Sequence, residues 1–220
     1  MIKKLLPLAI TLLLSGNIHA AGDITAGKNK TAACAGCHGD KGNSLMPLFP
    51  KLAEQHSGYL KKQLAYFKDG TRNDPTMSAL AQGLSDTDMA DIAAYYAAQQ
   101  ISSNKPPVIT ADDEEEDETS GQKPLSLAAL LQKGSNLYRN GNLKNEVSAC
   151  IACHGPEGKG NKPAGFPMLK SQHADYLIKT LSDYKNGARN KNADNMMNMI
   201  ASKMTAEEIK AVAYHISMMK

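Results

Sequence analysis

Two short stretches of this chain carry residues whose spacing is a chemical statement: Cys34-Ala35-Gly36-Cys37-His38 and Cys150-Ile151-Ala152-Cys153-His154. Two cysteines three positions apart reach two neighbouring points on one rigid object, and the histidine that follows supplies an imidazole nitrogen beside it. A porphyrin fits that demand: two former vinyl groups become thioethers, and the imidazole takes one axial position on the iron. Structural zinc wants four ligands per site, commonly as two close pairs, whereas these pairs lie 116 residues apart, each with its own histidine. A thioredoxin-like dithiol wants a strand-helix setting, and no strand pattern stands out. Two disulfides, the default for four cysteines in an oxidising compartment, leave the histidines unexplained. The pattern predicts two covalently attached haem c groups, bound through Cys34, Cys37, Cys150 and Cys153, with His38 and His154 as iron ligands.

The other axial position has candidates without distances. Met77 and Met197 match each other in the two halves, each seven residues before a capped helix, and are read as the sixth ligands. Met196 and Met199 compete with Met197, so the choice among the three stays open. His56 and His173 also match, but each opens an apolar-periodic helix and is read as a helix-start or surface residue. A thioether on iron raises its potential and a second imidazole lowers it, so the choice matters. Arg72 and Arg189 are candidates to pair with haem propionates, against the plainer reading of surface arginines.

These groups sit in a duplicated sequence. After the cysteine motif the echoes run in order: Asn43 with Asn161, Phe49-Pro50-Lys51-Leu52 with Phe166-Pro167-Met168-Leu169, Gln55-His56 with Gln172-His173, Tyr59 with Tyr176, and Arg72-Asn73 with Arg189-Asn190. Within each copy the periodicity is helical. Leu60, Leu64 and Phe67 share a face ending near Gly70, and Leu177, Leu181 and Tyr184 repeat it before Gly187. Ser85 with Asp88, and Thr205 with Glu208, have capping-box spacing; Met89, Ile92, Ala93 and Tyr96, and Ile209, Val212, Ala213 and Ile216, are the expected inward faces. The stretches from His38 to Gln55 and from Gly70 to Leu84, rich in Pro, Gly and Asn, are expected as loops.

Residues 1–20 are read as a secretory signal peptide: Lys3 and Lys4, an apolar run from Leu5 to Leu14, then small residues ending at Ala20. No later segment reaches spanning length, so contact with a membrane would be peripheral. The expected layout is one domain at 21–101, an acidic linker at 102–124 and a second domain at 125–220. The linker holds Pro106-Pro107 and seven consecutive acids from Asp112 to Glu118, and reads as a solvated spacer, with a docking tail as the alternative. The first domain has eight basic and eight acidic residues, the second thirteen and seven. No basic patch interleaved with aromatics appears, so nucleic acid is not an expected partner. Few large side chains and no Trp leave thin cores, a regime in which a buried cofactor supplies apolar mass.

The whole chain after its leader resembles the dihaem cytochrome c4 family. The motifs that carry the resemblance are Cys34 to Gly39, Phe49 to Leu52 and Arg72-Asn73-Asp74-Pro75-Thr76-Met77, with partners Cys150 to Gly155, Phe166 to Leu169 and Arg189 to Met197. The resemblance implies an all-α fold of two tandem class I cytochrome c domains, His/Met ligation at both irons, and haem edges facing each other across a domain interface. It also implies that Pro50 and Pro167 offer their carbonyls to the haem histidines. It implies a location in the periplasm, with a quinol-oxidising complex as donor and a terminal oxidase or soluble reductase as acceptor. The acidic run Asp112 to Glu118 departs from it by lengthening the connection. An iron with both axial positions filled exchanges electrons but binds no substrate, so an electron carrier and not an enzyme is expected. The rivals are a dihaem subunit of a flavoprotein dehydrogenase and a dihaem peroxidase, which needs one open or displaceable ligand.

Overall fold

The computed structural model describes residues 22–107, 125–189 and 196–220. The expected signal peptide and the acidic run lie outside them. In the first half the helices are α1 (Ile24–Lys30), α2 (Ala32–His38), α3 (Ser57–Lys68), α4 (Pro75–Gln82) and α5 (Asp86–Ala97). The second half repeats the set as α6 (Leu127–Asn140), α7 (Ile151–His154), α8 (Ala174–Lys185), α9 (Met196–Ala201) and α10 (Ala206–Ser217). Among the described residues there is no β-strand, only isolated bridges at Asn142–Val147 and Asn161–Phe166. The all-α expectation holds.

Each half is built on a crossing of its first and last helices, with the central helix (α3 or α8) packed on the last. The crossings are close because a glycine stands at each. A Cβ on Gly27 would lie 2.0 Å from the Asp91 carbonyl oxygen, and one on Gly134 would lie 2.0 Å from that of Ala211. The last helices start where the sequence places them. Ser85 and Asp88, and Thr205 and Glu208, form complete capping boxes in which hydroxyl and carboxylate satisfy reciprocal backbone amides. The inward faces of both helices are buried as expected. In the second half they join Leu137, Tyr138, Val147, Leu177 and Met204 in one core; in the first, Leu60, Tyr95 and Tyr96 surround Ile92 and Ala93.

One expectation is corrected. The stretch from Gly70 to Leu84 is not all loop, because α4 occupies eight of its residues, and α9 holds the matching methionine of the second half. Asp74 caps α4 by accepting from the Thr76 and Met77 amides at 3.1 and 2.9 Å, and Pro75 takes the first helical position, where its missing N–H costs nothing.

The halves meet through paired hydrogen bonds that repeat about a pseudo-twofold axis. Gln172 clasps the backbone of Lys51, and Gln55 clasps that of Met168. Arg72 reaches Tyr176, and Arg189 reaches Tyr59. Lys170 pairs with Glu54 at 2.6 Å. The first residues past α5 also cross over: Asn104 donates from Nδ2 to the carbonyls of Ser171, Gln172 and Ser217 at 2.9–3.0 Å. The buried Lys51 ammonium donates to the Ser102 carbonyl and Asn104 Oδ1, both at 2.6 Å.

Candidate haem sites

In each half a short helix ends on the motif histidine. Cys34, Cys37 and His38 lie on α2; Cys150 caps α7, which carries Cys153 and His154. Both helices stop at a glycine of φ 76°, Gly39 and Gly155, a conformation that side chains with a Cβ resist. At Gly39 the turn is also tight, since a Cβ there would meet the Asn43 carbonyl oxygen at 2.7 Å.

The chemistry of the donors follows from their surroundings. His38 and His154 are buried, and the Nδ1 of each lies 2.9 Å from a carbonyl oxygen, of Pro50 and Pro167 respectively. A carbonyl only accepts, so Nδ1 carries the proton and Nε2 keeps the lone pair. That tautomer is the one a metal-binding imidazole needs, and its N–H···O bond makes the ring a stronger donor. Phe49 and Phe166 stand beside the imidazoles, with ring centroids 6.3 Å apart in each half. The four cysteines are free and partly buried. Burial pushes the Cys34 thiol up despite its hydrogen bond with Tyr96, and pushes the Cys150 thiol up to about 11. Cys34 and Cys150 are thus neutral thiols, suited to adding across a vinyl group once delivered to it, and unlike the low-pKa thiolate of a dithiol oxidoreductase. Among the described residues no three His, Cys, Asp or Glu side chains converge as a metal cage would require. The residues therefore fit a haem and do not fit zinc.

The remaining candidates separate. Met77 and Met197 are partly buried, near the starts of α4 and α9, whereas Met196 and Met199 are 41% and 65% exposed. His56 and His173 stand at the N-caps of α3 and α8, as helix-start residues. They also face the opposite half: His173 Nε2 donates to the Ser44 carbonyl at 2.9 Å, and His56 lies against the Lys159 and Phe166 carbonyls. Burial pushes both imidazoles below the usual histidine range.

Arg72 and Arg189 are not plain surface residues. Each guanidinium lies over a ring of its own half, Phe67 and Tyr184, and both donate to Gln63 Oε1, at 2.9 and 2.8 Å. Among the described residues neither pairs with a carboxylate, and Arg189 Nε is buried with no partner. Burial would push the Tyr176 phenol up, but the two guanidiniums hold it down to about 7. Two cations facing one neutral amide and two phenols leave room for anions, which the propionates of two haems would supply. Gln63, Tyr59, Tyr176 and the clasping Gln55 and Gln172 were not singled out by sequence reasoning as functional. For four of them the one signal was repetition, since Gln55 and Tyr59 recur as Gln172 and Tyr176; Gln63, which falls opposite Thr180, had none.

Comparison with known proteins finds relatives along nearly the whole chain. The family model described as cytochrome c matches twice, over residues 24–99 and 131–220. The chain is 41% identical over 227 residues to cytochrome c4 of Azotobacter vinelandii, and 42% identical over 217 residues to that of Pseudomonas aeruginosa; each alignment covers 97% of both chains. It is also similar to the crystal structure of reduced recombinant cytochrome c4 from Pseudomonas stutzeri, with a TM-score of 0.79 and 37% identity over 91% of this chain and all of that one.

Proposed function

Because the chain belongs to the cytochrome c4 family, dihaem c-type electron carriers and not enzymes, we propose that Cys34, Cys37 and His38 hold its first haem and Cys150, Cys153 and His154 its second. Met77 and Met197 complete the two irons in this reading. Each haem, when bound, supplies an iron that gains and loses one electron. The observation that carries the assignment is the His–Pro pair in each half, Nδ1 to carbonyl oxygen at 2.9 Å, which leaves Nε2 as the ligating atom.

The protein's own groups set the conditions of that exchange. Nδ1–H bonds to Pro50 and Pro167 keep the imidazoles oriented and electron-rich. Arg72 and Arg189 would pair with haem propionates, since among the described residues neither guanidinium has a carboxylate partner. Met197 is preferred over Met196 and Met199 because it is the least exposed of the three.

Its partners are redox proteins. We place the carrier in the periplasm, delivered by the signal peptide at 1–20, between a quinol-oxidising complex and a terminal oxidase or soluble reductase. Among the described residues no helix is long and apolar enough to cross a membrane. The surplus of thirteen basic over seven acidic residues in 125–220, against eight of each in 21–101, supports different partners for the two haems. A visible spectrum with a mass measurement on the mature protein tests the reading. Two haem masses retained after denaturation and sulfur ligation at both ferric irons are expected; a chain weighing no more than its polypeptide overturns it.

A further inference from the structure

We propose that each iron-binding histidine is tuned from the opposite half of the molecule, His38 by Gln172 and His154 by Gln55. The inference rests on the histidine ligation proposed above and adds positioning residues to it. The connection is a single peptide group on each side. The carbonyl that accepts from His38 Nδ1 at 2.9 Å belongs to Pro50, and the N–H of that same peptide belongs to Lys51. That N–H donates to Gln172 Oε1 at 2.8 Å, while Gln172 Nε2 returns a bond to the Lys51 carbonyl at 2.9 Å. The mirror set is His154 Nδ1 to Pro167 O at 2.9 Å, Met168 N–H to Gln55 Oε1 at 3.0 Å, and Gln55 Nε2 to Met168 O at 2.9 Å.

Lys51, Met168, Gln55 and Gln172 are all buried, so water does not screen either chain of bonds. An amide whose N–H is engaged carries more negative charge on its oxygen, and linked bonds in a low dielectric strengthen one another, by about 10–30% each. The glutamine therefore makes the proline carbonyl a better acceptor, the histidine a stronger donor, and the oxidised iron more favourable. Each glutamine is itself fixed: its Oε1 also accepts from the next backbone amide, of His56 or His173, at 3.0 Å. The two sites thus exchange control crosswise, and each iron's affinity for its electron depends on the halves being docked.

The test measures the two reduction potentials of the full-length holoprotein separately, assigning each to its half by proton NMR of the axial ligands. Q172L removes both bonds to Lys51. It is expected to raise the reduced-to-oxidised ratio of the first haem about threefold at fixed solution potential, about 30 mV at about 59 mV per tenfold for one electron. The second haem stays unmoved. Q55L gives the reverse assignment. Q172E and Q55E, buried and so protonated, keep an acceptor and a donor in the same places and restore the wild-type values. A shift at the haem of the substituted half, equal shifts at both, or unchanged potentials would overturn the proposal, since a merely adhesive clasp predicts no crossing. Should Q172L not take up haem, Q172N, whose amide stops one methylene short of Lys51, carries the test: its His38 Nδ1 proton resonance moves while that of His154 does not, and any other result overturns it. Loss of histidine ligation in the wild-type spectrum would instead remove the ligand assignment, a separate failure.

Discussion

A single methyl group at Gly134 should prise the second half open at its helix crossing. In G134A the new Cβ would stand 2.0 Å from the Ala211 carbonyl oxygen and 2.9 Å from the His215 Cβ, where ordinary contact begins near 3.4 Å. The obstacle is backbone, which has no rotamer to escape into, so α6 and α10 must part by about 1.4 Å at the crossing. A gap of 0.5–1 Å already forfeits about a quarter to a half of each dispersion contact, and Leu130, Leu137, Ala211 and Tyr214 are all buried along this seam. Overpacking of this kind costs about 1–3 kcal/mol, and the required separation places G134A at the upper end. Alanine's better helix propensity returns about 1 kcal/mol, for a net loss of about 2 kcal/mol. The same change at Gly58 in α3, where no atom lies within 4 Å of the built Cβ, should stabilise by about 0.4–1 kcal/mol by restricting the unfolded chain. Urea unfolding of the holoprotein followed by far-ultraviolet circular dichroism reads both as midpoint shifts at unchanged slope. A neutral or stabilised G134A, or a G58A that loses as much, would refute the argument from close approach.

Three further outcomes follow from the same geometry. M197A should abolish sulfur ligation at the second iron alone, and M77A at the first, whereas M196A and M199A leave both ferric spectra intact; loss of the sulfur signature in M196A would transfer the assignment. The depressed pKa values of His56 and His173 make stability pH-dependent. Between the folded pKa and the ordinary 6.5 the unfolded chain binds protons that the folded one refuses, so stability is full above about 6.5 and declines as pH falls below it. Lys51 beside His173 and Lys162 beside His56 reinforce the sign. The thermal midpoint should drop from pH 7 to pH 5, and H56Q/H173Q should flatten that slope; an unchanged slope would count against these two groups. T205A removes the hydroxyl that accepts from the Glu208 amide at 3.1 Å and should cost about 1 kcal/mol in urea, with T205S close to wild type.

The sequence made the chemistry legible wherever spacing along the chain decides it. The two cysteine motifs, the duplicated order and the capping boxes at Ser85 and Thr205 depend on residues a few positions apart, and the all-α fold follows from the helical periodicity around them. The helices α1 and α6 went unread because the signal for each is a glycine, Gly27 or Gly134, inside a short amphipathic stretch; a residue that weakens a helix locally is there to admit another helix. The stretch at α4 read as loop because Asn, Asp and Pro suggest turns, although Asp74-Pro75 is equally a cap followed by a first helical position. The seam between the halves was the least legible. Gln55 and Gln172 looked like polar flanks of a helix start, and only a second peptide 113 or 121 residues away gives their amides a use. The tautomers of His38 and His154, by contrast, were foreshadowed: the family resemblance implied the Pro50 and Pro167 carbonyls, and the folded loops bring both to 2.9 Å from Nδ1.

Gln63 sits where symmetry would be broken at a cost in a true dimer. It accepts from both guanidiniums, while Thr180, which takes its place in the duplicated half, bonds to Tyr176 instead. In an isologous pair of identical chains every substitution is made twice and must suit both sides of the axis. Fusing the copies into one polypeptide lifts that restriction: one half can keep an amide at the centre of the seam while the other keeps a hydroxyl. Covalent tandem duplication thus lets twin sites drift apart in character without losing the contact that joins them.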